Sequence, residues 1–208
     1  MANACADQVA GFLDKLSEIG ADPQDGYSRL AYSKEERAAH ALFRSTLEEY
    51  GLETYTDAVG NSYGQLPGSE GLPALMTGSH LDTVYSGGNF DGAAGVAAAV
   101  ELARLFVQQG GLRHPVRVVA FAAEEGARFG APCIGSRLAT GAYDSTTLDQ
   151  LIDRDGVTVT DAATSVGLSP GEFVLAVERR ARAHATTVAT VGRLDVTPNS
   201  RTTVPGAC

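Results

Sequence analysis

The 208-residue chain has little that would staple it, anchor it or draw it to a polyanion. Its cysteines, Cys5, Cys133 and Cys208, are isolated thiols with no CxxC spacing. An odd, scattered set excludes a disulfide framework and suits a reducing, cytoplasmic location. Cys133 on this reading is a small buried apolar residue. Charged residues make up 20% of the chain and form no long single-sign block, which excludes a disordered charged tail. The net charge of −9 argues against nucleic acid or an anionic membrane as partner, and leaves an acidic substrate open. The most apolar stretch, GAAGVAAAVELARLFV, carries Glu101 and Arg104 and is too short to span a bilayer. The amino terminus lacks a basic n-region and carries Asp7, Asp14, Lys15 and Glu18, so it reads as an amphipathic helix rather than a signal peptide. No GxGxxG follows a strand and no GK[ST] is present to hold phosphates. Asp153-Arg154-Asp155-Gly156 lacks the terminal Glu of a calcium loop and reads as a tight turn.

What is present suffices for one hydrophobic core, with 44% hydrophobic residues. Ser33-Lys34-Glu35-Glu36 is a capping-box pattern that opens a helix running to about Tyr50, with Gly51 as its C′ residue. Leu52 to Leu66 reads as strand and turn, broken at Gly60-Asn61. Leu75 to His80 is a short apolar strand, followed by a Gly-rich loop over 87–92. The spacing of Val96, Val100, Ala103 and Val107 predicts a helix over 95–109. After Pro115, VRVVAFAA reads as a strand buried on both faces. Strand, helix and strand in this order make a βαβ unit, so the expected fold is α/β with an open, mainly parallel sheet flanked by helices. Two short helices are expected within 145–170, with turns at Asp155-Gly156 and Ser169-Pro170-Gly171. From Gly171 on, the texture changes, from the helix-like GEFVLAVERRARAHATT to strand and turn.

The chemistry gathers at the strand ends. In open α/β sheets, ligands bind beyond the carboxyl ends of the strands. His80 and Asp82 lie at one such end, Glu124 and Glu125 at the next, and Asp91 in the loop between. Residues two apart on a strand face one way, so Asp82 is placed to orient the His80 imidazole. Carboxylates this close repel and raise one another's pKa. A divalent cation removes that penalty, and His with carboxylates suits zinc and similar metals.

The segments GSHLDTV, GGNFDGAAGV and FAAEEGARFG together resemble the metallopeptidase-like (M20-type) amidohydrolases. The nearest likeness is to the branch of N-carbamoyl-L-amino-acid hydrolases, beta-ureidopropionase and allantoate amidohydrolases. The EEGxRF form, with Arg128 and Phe129, points to that branch, and the lead-in from Arg29 to Gly68 resembles it too. The resemblance implies a zinc-exopeptidase-like catalytic domain, incomplete here, over 1–172 and a remnant of an α+β dimerisation domain over 173–208. It implies two divalent ions per site, zinc or manganese, cobalt or nickel. His80 would ligate one ion, Asp91 bridge the two and Glu125 ligate the other. Glu124 would be the general base on the bridging water, and Asp82 would orient His80. The implied reaction is hydrolysis of linear C–N bonds in small carbamoyl or ureido substrates by a homodimer, with no nucleic-acid or membrane partner.

The chain also departs from that pattern. The family's further ligand His, in a segment like HIEQG, has no counterpart after Phe173-Val174-Leu175-Ala176, and His184 does not match it. The HAGTTPM-like segment is absent, and Thr202 replaces the Asn of an NVVPG-like motif. The sequence stops at Cys208, short of the family's final ligand His and substrate-binding Arg. A break near Ala176, from an internal deletion in a longer gene or from an incorrect gene model, would account for the first of these. The competing expectation is therefore a non-catalytic fragment or pseudoenzyme of the same family.

Overall fold

The computed structural model describes residues 2–23, 26–140, 142–143 and 145–168. The expected segment 173–208, its strand and turn, its dimerisation role and the turn at Ser169-Pro170-Gly171 lie outside the described residues.

Helix α1 (Ala2–Ser17) is followed by α2 (Lys34–Glu49), which starts and stops as its sequence dictates. The Ser33 side chain accepts from the Glu36 N–H at 3.1 Å. At the other end Gly51 takes φ 85°, its N–H bonds the Glu48 carbonyl and Leu52 N–H bonds that of Leu47. That double closure is a Schellman motif, and the left-handed residue at its centre is the glycine.

Strands β1 (Glu53–Thr56) and β2 (Ser62–Leu66) form a hairpin. Asp57 builds its turn by accepting the N–H groups of Val59 and Asn61 on one carboxylate oxygen, at 3.1 and 2.9 Å. Strand β3 (Leu75–His80) leads through a loop into α3 (Ala93–Gln108), which begins two residues earlier than its apolar spacing predicts and returns to β4 (Val116–Phe121). The four described strands run in the order β1-β2-β4-β3. Only β3 and β4 are parallel, in the βαβ unit; β2 pairs antiparallel with both β1 and β4. The α/β fold is as expected, but the sheet is mixed where a mainly parallel one was expected. The five-residue link from β1 to β2 is too short for a crossover and permits only a hairpin.

Helices α2 and α3 cover one face of this sheet and α1 packs against α3; Leu16, Phe43, Leu47, Val96, Val100, Val118 and Ala120 are buried in the core they share. Truncating a buried Phe such as Phe43 to Ala in a core of this kind costs about 3–5 kcal/mol. The opposite face is less covered: Arg117 is exposed, Phe121 is half-buried, and Tyr55 and Met76 stand open. Strand β4 is thus sealed along one face and, on the other, only at Val119. Beyond the strand ends, the short helices α4 (Ile134–Ala139), α5 (Ser145–Gln150) and α6 (Val159–Ser165) form a second cluster around Ala122, Ala123, Ile134, Leu138, Leu148 and Ala163. Asp153 caps the turn before α6 by accepting from Asp155 and Val157, so the candidate calcium loop is a tight turn. No helix among the described residues is long and apolar enough to cross a membrane.

Candidate metal centre

The carboxyl ends of β3 and β4 stand side by side, with His80 paired in register to Phe121. His80 is the last residue of β3 and is 8% exposed. Its ring packs on Gly92, the residue that opens α3 at φ 64°. A Cβ at Gly92 would lie 2.5 Å from ring atoms of His80, so both the conformation and the approach require glycine. The Nδ1 atom lies 3.1 Å from the Asp82 carbonyl oxygen and 3.5 Å from Asp82 Oδ1. The Nε2 atom faces the other way, 3.7 Å from Asp91 Oδ1 and 3.6 Å from Glu124 Oε2. One ring edge is thereby fixed to protein and the other is turned toward carboxylates.

Asp82 is fully buried, and its carboxylate does more than face the imidazole. Its two oxygens accept the N–H groups of Glu124 and Glu125 at 3.0 and 2.9 Å. Two residues earlier the pattern continues. Ala122 N–H donates to Asn61 Oδ1 at 2.9 Å and Ala123 N–H to Glu36 Oε1 at 2.8 Å. On the opposite side, the carbonyls of Ala122, Ala123 and Glu124 accept from Gly135, Ile134 and Cys133. Buried backbone groups must find partners, and here side chains far apart in sequence supply them. Ala123 is held at φ 52°, a left-handed conformation that a residue with a Cβ adopts only under constraint.

His80, Asp91 and Glu125 each offer a ligand atom, and these atoms lie within 4.8 Å of one another. This is the one such group found among the described residues. Glu124 adjoins it, with its side chain 34% exposed. A cavity of about 870 Å³ opens from His80 and Glu124 over the less covered sheet face, between Tyr55, Tyr63, Phe121 and Arg137.

The charges act on one another. Burial pushes the His80 imidazole down, but the Asp82 hydrogen bond and charge, with Glu124, outweigh it and lift its pKa to about 9. Burial raises the Glu125 carboxyl; His80 opposes this, and Asp91, Glu124 and Asp82 reinforce it. A site with these carboxylates around one imidazole therefore favours an added positive charge.

Three features escaped sequence reasoning. Glu36 reads as a capping residue, yet it is fully buried and reaches Ala123. Asn61 reads as a turn residue, yet its side chain spans from Asp57 and Gly135 to Ala122. Cys133 is corrected from a bland buried residue: it is half-buried, takes φ 62°, and its thiol donates to Glu124 Oε1 at 3.2 Å. Burial and that carboxylate push the thiol up to about 11. Only a positive φ outside glycine would have marked Cys133 and Ala123, and a sequence does not display φ.

With this geometry in place, comparison with known proteins decides the family. A family model described as peptidase family M28 matches residues 61–205. The chain belongs to that family. The motifs suggested the M20-type label; the amidohydrolase branch they indicated is the one its relatives occupy. The chain is 40% identical over 172 residues to an N-carbamoyl-L-amino-acid amidohydrolase of Paenarthrobacter aurescens, covering 82% of this chain and 42% of that protein. It is 34% identical over 167 residues to an allantoate amidohydrolase of Bacillus subtilis strain 168, covering 79% and 40%. Among solved structures, a hydantoinase/carbamoylase family amidase from Burkholderia ambifaria superposes with a TM-score of 0.72 at 33% identity, over 77% of this chain and 40% of that one. The chain thus spans about two fifths of the length of these relatives.

Proposed function

We propose that this chain carries the metal-facing part of a hydrolase of linear C–N bonds, acting on small carbamoyl or ureido compounds such as N-carbamoyl-L-amino acids or allantoate. The observation that carries this reading is the convergence of His80 Nε2, Asp91 and Glu125 beside Glu124. The names of the relatives supply the substrate class.

The donor set fits a divalent ion. One imidazole nitrogen and two carboxylates suit zinc, and equally manganese, cobalt or nickel. Three protein ligands leave positions open, as in catalytic zinc sites. When bound, such an ion acidifies water and polarises a scissile carbonyl. His80 would present Nε2 to it, and Asp91 and Glu125 would each present a carboxylate oxygen. Asp82 fixes the far edge of the ring, which sets the tautomer and keeps Nε2 aimed outward. Glu124 is the base: partly exposed and next to Nε2, it can take a proton from water and return it to the leaving nitrogen. Its second oxygen is occupied by the Cys133 thiol, which holds the carboxylate in place.

The test is turnover of N-carbamoyl-L-amino acids and allantoate by the metal-loaded chain and by Glu124→Gln. The expected loss in the variant is 10²- to 10⁴-fold with metal still bound. A metal-loaded chain with no turnover at all would favour the non-catalytic alternative. Full turnover by Glu124→Gln would remove Glu124 from the role of base.

A further inference from the structure

Four non-glycine residues among those described take a positive φ: Tyr32, Ser86, Ala123 and Cys133. Two of them, distant in sequence, share one partner. Glu36 Oε2 accepts the Tyr32 N–H at 2.7 Å and Glu36 Oε1 accepts the Ala123 N–H at 2.8 Å. Glu36 is fully buried, with the Arg37 guanidinium 3.0 Å from Oε2. A capping-box Glu ordinarily turns back to the N-cap N–H. Here the Ser33 N–H bonds the Leu30 carbonyl instead, and the Glu36 carboxylate is free to join the start of α2 to the end of β4.

We infer that Glu36 is a positioning residue for the metal-facing carboxylates: by clamping Ala123 in its left-handed conformation, it sets the direction in which Glu124 and Glu125 leave the chain toward His80. The inference rests on the reading of this site as a metal centre, and it concerns a residue that touches neither metal nor substrate. Left-handed backbone persists in residues with a Cβ only where surrounding bonds over-determine it. At Ala123 these bonds are the Glu36 acceptor on one side and the Ile134 N–H on the other. The next two N–H groups are fixed by Asp82. A rotation released at Ala123 would therefore strain these two bonds and turn the Glu124–Glu125 peptide, from which both carboxylates extend. Partners of this outer kind typically change metal affinity by 10- to 100-fold.

Amide exchange in the metal-free chain tests the clamp by itself, and cobalt(II) binding followed by visible absorption tests its consequence. The Ala123 amide of the unaltered chain is expected to exchange as slowly as those of β4, although it lies beyond the strand. Glu36→Gln keeps the shape but offers one acceptor oxygen where two N–H groups need one. It should speed exchange at Ala123 and Glu124 at least tenfold, leave Val118 unchanged, weaken cobalt binding about tenfold and alter the cobalt spectrum. Ser33→Ala removes the cap of the same helix without touching Ala123, and should leave affinity within twofold. Should Glu36→Gln fail to fold, Glu36→Asp gives the same readouts with the charge retained. Fast exchange at Ala123 in the unaltered chain, unchanged exchange in the Glu36 variant, or an equal loss in Ser33→Ala would overturn the inference. Absence of cobalt binding by the unaltered chain would instead count against the metal-centre reading, with exchange still deciding the clamp.

Discussion

The two loops that bring carboxylates to the site are held very differently. In residues 122–125 every N–H meets a side-chain oxygen, from Asn61, Glu36 or Asp82, and the first three carbonyls are bonded to residues 133–135. The loop after β3 is tied down only over its first part, where Thr83 and Gly87 exchange hydrogen bonds with Tyr27 and Arg29. Its second part is open. Phe90 is 65% exposed, the Asp91 side chain is 68% exposed, and Asn89 Oδ1 is buried without a hydrogen-bond partner. The site therefore has a built wall, carrying Glu124 and Glu125, and an adaptable edge, carrying Asp91. On the proposed metal reading, the pre-organised carboxylates would lower the cost of binding an ion and the exposed one could adjust to it.

Substitutions can break this asymmetry in a definite order. The largest effect is expected from Asp82→Ala, which orphans the Glu124 and Glu125 N–H groups and frees the ring of His80. Each unsatisfied buried donor costs roughly 1–3 kcal/mol, so denaturant unfolding should show a deficit of that size or its double. Next comes Gly92→Ala, where left-handed backbone alone costs about 1–2 kcal/mol and the new methyl displaces the imidazole. Urea titration reads the stability term, and a loss of metal affinity reads the displaced ring.

The pH dependence of the metal-free chain sharpens the same point. His80 has a pKa of about 9 in the folded chain against roughly 6.5 when unfolded. A raised folded value means the stabilisation is fully present below about 6.5 and fades as pH rises toward 9. The difference in unfolding free energy between the parent chain and His80→Gln, measured with chelator at pH 6, 7.5 and 9, should shrink steadily. A difference that stays constant with pH would mean that the carboxylates do not hold the His80 proton. The smallest stability effect is expected at the open edge. Asp91→Ala should leave unfolding within about 0.5 kcal/mol of the parent, since the side chain is largely exposed.

The same contrast explains what the amino-acid sequence disclosed. The helix α2 with its Ser33 cap and Gly51 stop, the β3-α3-β4 unit, and the placement of His80, Asp82, Asp91, Glu124 and Glu125 at adjoining strand ends follow from local pattern. Local pattern is readable because caps, turns and periodicity are set by neighbours in the chain. The wall behind the carboxylates was not readable. Beside Asp82 it is made by Glu36 and Asn61, which reach the β4 end across long stretches of sequence from positions that look like an ordinary cap and an ordinary turn. Cys133 was misjudged for the same reason, because its thiol meets Glu124 only through the fold around α4. The mixed sheet escaped because the β2 to β4 pairing is non-local, and apolar composition does not distinguish a parallel from an antiparallel neighbour.

Metal content tests the central claim most directly. The purified chain, loaded with zinc or cobalt and passed through buffer exchange, is analysed by elemental mass spectrometry alongside Asp91→Ala, whose fold should be intact. Stoichiometric metal in the parent chain and loss of it in Asp91→Ala is the predicted result, because the open edge completes a ligand set that the built wall holds ready. No retained metal in the parent chain, or equal metal in both proteins, would contradict it.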